Sequence, residues 1–166
     1  MLDIDKPKPR RTARLPPRLA VTLSTRVLRH DQDFALTTLF FGDGELRVPL
    51  VPVPVDSGVE VRIDARDVSI ALSRPMDVSI TNRLPGEIAE IECLAAPYVR
   101  ATMALGTTHI HALVTRESVA RLALVPGLKV WVMIKAVAIS GRLLKPDLVP
   151  RPRVWPSNQT TNRESP

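Results

Sequence analysis

The sequence predicts an all-β fold made of two small OB-like barrel units in tandem, with one short helix in the second unit. Three observations carry this prediction. Apolar residues alternate with polar ones at the period of a strand. The same alternation recurs once further along the chain. Each copy is preceded by two strand-like runs joined at a glycine turn.

The alternation is clearest in "GVEVRIDARDVSI". Val59, Val61, Ile63 and Ala65 share one face, and Glu60, Arg62, Asp64 and Arg66 share the other. The apolar phase then slips and resumes at Val68 and Ile70, as a bulge or a sharp bend would make it do. A matching pattern appears 69 residues later in "GLKVWVMIKAVAI". This spacing sets Gly58 on Gly127, Val59, Val61 and Ile63 on Leu128, Val130 and Val132, and Arg66 on Lys135. It predicts an internal duplication with a cation at the bend of both copies. Upstream of the first copy, "ALTTLFFGDGELRVP" reads as a hairpin turning at Gly42-Asp43-Gly44; upstream of the second, "YVRATMALGTTHIHALV" turns near Gly106. The helix is expected in "TRESVARLALVPG", with Thr115 as its N-cap and Pro126-Gly127 as its stop.

The expected organisation is a basic, Pro-rich arm over 1–20, a first β unit over 21–75, a second over 76–140 and a flexible tail over 141–166. Four of the 16 prolines lie in the arm and five in the tail, a composition that favours extended, solvated chain. The formal net charge is +6, which raises the question of a nucleic-acid partner. The ends supply it, however. Residues 21–140 hold 12 basic and 13 acidic side chains, and aromatic residues, the stacking platforms of OB-type nucleic-acid binders, are only 4% of the chain. Nucleic acid is therefore the disfavoured partner.

The single cysteine, Cys93, excludes an intrachain disulfide and a Cys-based zinc site, and is expected to be a small buried side chain. The apolar run from Leu122 to Ile139 is interrupted by Pro126, Gly127, Lys129 and Lys135, so no membrane insertion is expected. The sequence contains no Walker A loop, no G-x-G-x-x-G, no H-E-x-x-H and no G-x-S-x-G, and the reading is of a non-enzymatic protein. His109 and His111 fall on one face of a strand and could ligate a metal given a third ligand, but solvent-facing or hydroxyl-bonded histidines are the commoner outcome, and no metal is expected.

Polar chemistry concentrates in "VSITNRLPGEI", where Ser79, Thr81, Asn82 and Arg83 precede Pro85-Gly86. One reading is a strand end whose polar groups are satisfied at a Pro-Gly turn. The other joins Ser79 and Thr81 to Thr115 and Ser118 at the helix start and to Lys135 at the bend. Hydroxyls, helix N-terminal N–H groups and a lysine are suited to a tetrahedral oxyanion, provided that the fold assembles them.

"SITNRLPGEIAEIE" followed by "PYVRATMALGTTHIHALVTRESVARLALVPGLKVWVMIKAVAI" resembles the Mop or TOBE domain of molbindins, and above all the C-terminal regulatory region of the ATP-binding subunit of molybdate ABC importers. The resemblance spans about residues 26–140 and is most specific at Ser79–Gly86 and around Lys135. It implies TOBE/Mop-like barrels that bind molybdate or tungstate as an oxyanion at interfaces between copies, in a cytoplasmic homodimer or larger ring, for storage or for sensing in transport. Carried over by position, Ser79, Thr81, Thr115, Ser118, Lys135 and Ala136 contact the anion, while Asn82 and Gly86 shape the turn. The family often has Arg where Thr81 stands here. A basic arm also stands where the importer subunit has its nucleotide-binding domain, so the resemblance implies a regulatory domain without its motor and a separate ATPase as a possible partner. A non-binding structural or interaction module of a transporter is the alternative, and an OB-like nucleic-acid binder a further one.

Overall fold

In the computed structural model, Pro16 and residues 19–143 are described; the expected flexible arm and tail lie largely outside them. The described residues form ten strands and one α-helix, with the expected hairpins and helix in their expected places. The first repeat contains β1 (Ala20–Asp31), β2 (Leu36–Phe40), β3 (Glu45–Pro49), β4 (Gly58–Asp64) and β5 (Val68–Ala71). The second contains β6 (Asn82–Cys93), β7 (Tyr98–Leu105), β8 (Thr108–Thr115), α1 (Arg116–Leu122), β9 (Lys129–Ile134) and β10 (Ser140–Leu143). The β2–β3 connection passes through Gly42 and the β7–β8 connection through Gly106, both at positive φ, where the missing Cβ removes the steric penalty. Thr115 caps α1 by accepting the Ser118 N–H at 3.1 Å. In the first repeat a loop fills the helix position, and His30 pins it through Thr37 Oγ1 (2.9 Å) and the Val53 carbonyl (2.7 Å).

The strands form two antiparallel five-stranded sheets, ordered β10-β4-β1-β2-β3 and β5-β9-β6-β7-β8. The repeats exchange strands: β5 leaves the first repeat to pair with β9, and β10 leaves the second to pair with β4. A division at residue 75 therefore cuts across both sheets, and residues 141–143, expected to begin the tail, are paired in β10. The inner faces of both sheets build one core, in which Val27, Leu39, Leu46, Val61 and Ile63 of the first repeat join Ile88, Met103, Ile110, Val132 and Ile134 of the second.

The duplication is confirmed, but its register differs from the expected one. Each phase slip is a single 3₁₀ turn, Ala65–Asp67 in one repeat and Ala136–Ala138 in the other. Superposing these turns gives a spacing of 71. Val59, Val61, Ile63, Ala65 and Val68 then match Val130, Val132, Ile134, Ala136 and Ile139, all buried. A spacing of 69 would match buried Val68 to Val137, which is 83% exposed. A two-residue shift preserves strand alternation, so periodicity alone does not separate the two registers. Gly127 misled the alignment: it lies in the turn before β9, whereas Gly58 is the first paired residue of β4. In the true register Lys135 corresponds to Asp64, so the two bends carry opposite charge. The ladders also share an irregularity, between Val27 and Arg29 in β1 and between Ile88 and Glu90 in β6.

Candidate functional site

β6 and β9 pair from Glu87↔Lys129 to Asn82↔Ile134. Continuing that register by one residue sets Thr81 opposite Lys135 at the end of the ladder. Ser79, Thr81 and Lys135 are all exposed. None of the three side chains forms a hydrogen bond or ion pair among the described residues, so two hydroxyls and a cation remain open to solvent on one sheet end. Ala136 follows Lys135 in sequence, but the residue is only 8% exposed and belongs to the core.

Thr115 and Ser118 lie elsewhere. Thr115 pairs with Tyr98, and Val99 pairs with Cys93, at the far end of β6. β6 has 12 residues, so roughly 35 Å of strand separates the two groups at about 3.3 Å per residue. The Thr115 hydroxyl donates to Ser118 Oγ at 3.0 Å. Within one chain the six expected anion ligands thus form two groups, four residues at one end and two at the other.

Asn82 and Gly86 do not shape a turn. Pro85 and Gly86 lie within β6, opposite Trp131 and Val130. A strand accepts proline here because the pairing of β6 with β7 begins only at Glu87, so the missing N–H leaves no ladder position empty. Buried Asn82 clamps the sheets together: its Oδ1 accepts the Arg47 N–H at 2.7 Å, and its Nδ2 donates to the carbonyls of Arg47 (2.9 Å) and Ile134 (3.2 Å). The side-chain amide pairs with the edge of β3 as a neighbouring peptide would. A Cβ on Gly86 would stand 3.1 Å from the Ala104 carbonyl oxygen and 3.3 Å from Val132 Cγ2, so glycine here permits close strand packing.

At the first bend, a cleft of about 250 Å³ is lined by Arg62, Asp64, Arg66, Asp67, Ala138 and Ser140. Its two arginines and two aspartates balance, and Asp64 accepts the Arg66 backbone N–H at 3.0 Å while facing the Arg66 guanidinium at 3.4 Å. Among the described residues no group of three or more His, Cys, Asp or Glu side chains could hold a metal. His109 is exposed, and His111 meets Thr102 Oγ1 at 3.0 Å. Partial burial, and then the nearby Arg100 charge, lower the His111 pKa. Cys93, expected to be buried, is exposed at the end of β6.

Sequence reasoning missed two features. Asp43, in the first hairpin turn, accepts hydrogen bonds from Thr107 (2.9 Å) and Thr108 (2.6 Å) of the second, and a Cβ on Gly106 would fall 2.3 Å from its carboxylate. Arg74 and Arg83 hold the segment that leads into β6. Asp43 and its threonines, and Arg74 and Trp131, are remote in sequence, while Arg83 and Pro75 are eight residues apart; no short motif announces any of these contacts.

Residues 78–140 match the TOBE domain. The match falls on the second repeat. The chain is 37% identical over 122 residues to the molybdenum import ATP-binding protein ModC 1 of Azotobacter vinelandii, covering 73% of this chain and 34% of that protein. It is 38% identical over 116 residues to the molybdenum import ATP-binding protein ModC of Mesorhizobium japonicum, covering 70% and 31%. The chain therefore spans about a third of the length of these relatives, and the aligned stretches extend beyond the TOBE domain into the first repeat. The solved structure of the cytoplasmic molybdate-binding protein ModG, with molybdate bound, superposes with a TM-score of 0.65 at 24% identity, covering 73% of this chain and 94% of that one. The two repeats together thus share the ModG fold. Among the described residues no helix is long and apolar enough to cross a membrane.

Proposed function

We propose that the protein is a non-catalytic cytoplasmic module that binds molybdate or tungstate, for storage or for sensing in molybdate transport, with each anion held between two copies of the chain. The observation that carries this reading is the open group of Ser79, Thr81 and Lys135 at one end of β6, with Thr115 and Ser118 at the other. One chain offers two half-sites that its own fold keeps apart; a second copy brings the Thr115 end of one chain to the Lys135 end of the other. Exposed Met76, Val78 and Val137 adjoin the Lys135 half-site in sequence and supply apolar surface for that contact. The relatives named for molybdenum import, and the molybdate-bound ModG fold, support the choice of anion. Because the ModC relatives are ATP-binding proteins, an ATP-binding domain is the proposed transport partner.

Lysine supplies charge without planar recognition, so selection among tetrahedral dianions falls to hydroxyl spacing and pocket size. Thr81 in place of a family arginine forgoes a charge-assisted bond worth about 1.5–3 kcal/mol, about one to two decades of affinity. Calorimetric titration with molybdate, with sulfate as the control, tests the function. Saturable uptake of molybdate and little of sulfate is expected, abolished by Lys135→Ala without loss of the fold. No uptake at millimolar molybdate would leave the protein a structural module.

A further inference from the structure

β5 and β6 flank β9 on opposite sides. The chain leaves β5 at Ala71, beside Trp131, and enters β6 at Asn82, beside Ile134. Residues 72–81 must therefore cross β9. Along β9 the buried side chains are Val130, Val132 and Ile134, while Trp131 and Met133 point to the outer, half-buried face. The crossing segment has no strand or helix of its own, and most of its residues are exposed. Two arginines hold it. The Arg74 guanidinium lies 5.6 Å from the centre of the Trp131 ring, a cation–π distance. Arg83, opposite Met133 in the ladder, reaches back from β6 and donates from Nη1 to the Pro75 carbonyl at 2.9 Å.

We propose that Arg83 and Arg74 are positioning residues that fix the 72–81 segment across β9 and so hold Ser79 and Thr81 beside Lys135, with Arg83 acting as a tether and not as an anion ligand. This rests on the anion reading above. Arg83 stands two residues from the position at which the resembled family often has arginine, yet its guanidinium is bonded to the backbone of the crossing segment. Ser79 lies four residues beyond the tethered Pro75 and makes no side-chain hydrogen bond of its own among the described residues. Its placement therefore depends on the tether. Trp131 lies under the same segment, so its environment reports whether the segment is seated.

The test uses the 166-residue chain carrying Trp155→Phe, which leaves Trp131 as its only tryptophan. Arg83→Met keeps the aliphatic stem and removes the donors, Arg83→Lys keeps one donor, and Arg74→Ala releases the stacked contact. With Arg83→Met, the molybdate Kd is expected to rise tenfold or more while the melting temperature stays near that of the parent. Trp131 emission should shift to the red and protease cleavage within 72–81 should increase, both without molybdate present; Arg83→Lys should restore much of the affinity. Arg74→Ala should shift the emission in the same direction. Unchanged affinity in Arg83→Met alongside molybdate uptake by the parent would overturn the positioning role while sparing the anion reading. Unchanged emission and cleavage would overturn the tether itself. Absence of uptake by the parent would overturn the anion reading and the positioning role together, even with the tether intact.

Discussion

Asn82 shows how one residue can match a motif and yet have a different role from the one its surroundings suggest. Next to Pro85-Gly86 it reads as a turn residue; in the fold it is 4% exposed and makes three hydrogen bonds, two across the gap to Arg47 of β3 and one to Ile134 of β9. Asn82→Ala would leave the Arg47 N–H and two carbonyls without this partner, at an expected cost of about 2–4 kcal/mol, measurable as a lowered denaturant midpoint with an unchanged slope. Asn82→Asp should be worse at neutral pH, because a carboxylate would face the carbonyls of Arg47 and Ile134 with no proton to donate. Asp43 contributes in the opposite electrostatic sense. The Thr108 hydroxyl, chiefly, holds its pKa below the ordinary 3.8, with Thr107 adding to the shift and burial opposing it. A lowered folded-state pKa gives stability that is present above the unfolded value and is lost as the pH falls through the folded one. Thermal melts between about pH 2 and pH 6 should therefore show a steeper acid decline for the parent than for Asp43→Asn, with the difference appearing below about pH 4. Equal slopes would show that this contact between the hairpin turns contributes nothing to acid sensitivity.

Strands β2–β5 and β7–β9, the hairpin turns and the helix were legible in the sequence because each rests on a local rule: period-two alternation, glycine at positive φ, a threonine cap. The register of the repeat was not, since a two-residue shift keeps every apolar residue of a strand on its own face. Nor was the continuation of β6 through Pro85, which depends on where β7 begins to pair. The candidate site was legible as a set of residues but not as an arrangement, because no local rule places Thr115 at the far end of β6 from Lys135. The corrected register has a functional consequence. The counterpart of Lys135 is Asp64, and continuing the same ladders places Thr81 in the position that Ala20 occupies opposite Asp64. The first bend thus has a carboxylate and a methyl where the second has an ammonium and a hydroxyl, and its cleft arginines are balanced by aspartates. Calorimetry should accordingly give one oxyanion per chain. A stoichiometry of two, with one site removed by Arg66→Ala, would show that the first bend binds as well.

The exchange of β5 and β10 makes the second repeat dependent on the one before it. The TOBE match covers 78–140, but the sheet built on it includes β5 from residues 68–71, and β5 also lies against β8, where it helps to close the second barrel. Without the first repeat, β9 loses its outer neighbour, Asn82 loses Arg47, and Val68 no longer covers the inner face near Ile134. Each fully buried valine or isoleucine exposed in this way forfeits about 1.5–3 kcal/mol, and a domain commonly holds only about 5–15 kcal/mol in total. A fragment of residues 72–143 is therefore expected to lack a cooperative thermal transition and to associate through its open edges. Co-expression with a fragment of residues 1–71 should restore a soluble complex with the circular dichroism of the intact chain, because the core and both sheets are then complete. A cooperative melt from residues 72–143 alone, in a monomer, would mean that the second repeat closes its own barrel. In that case the exchanged strands would join two independent units and would not be required to build either.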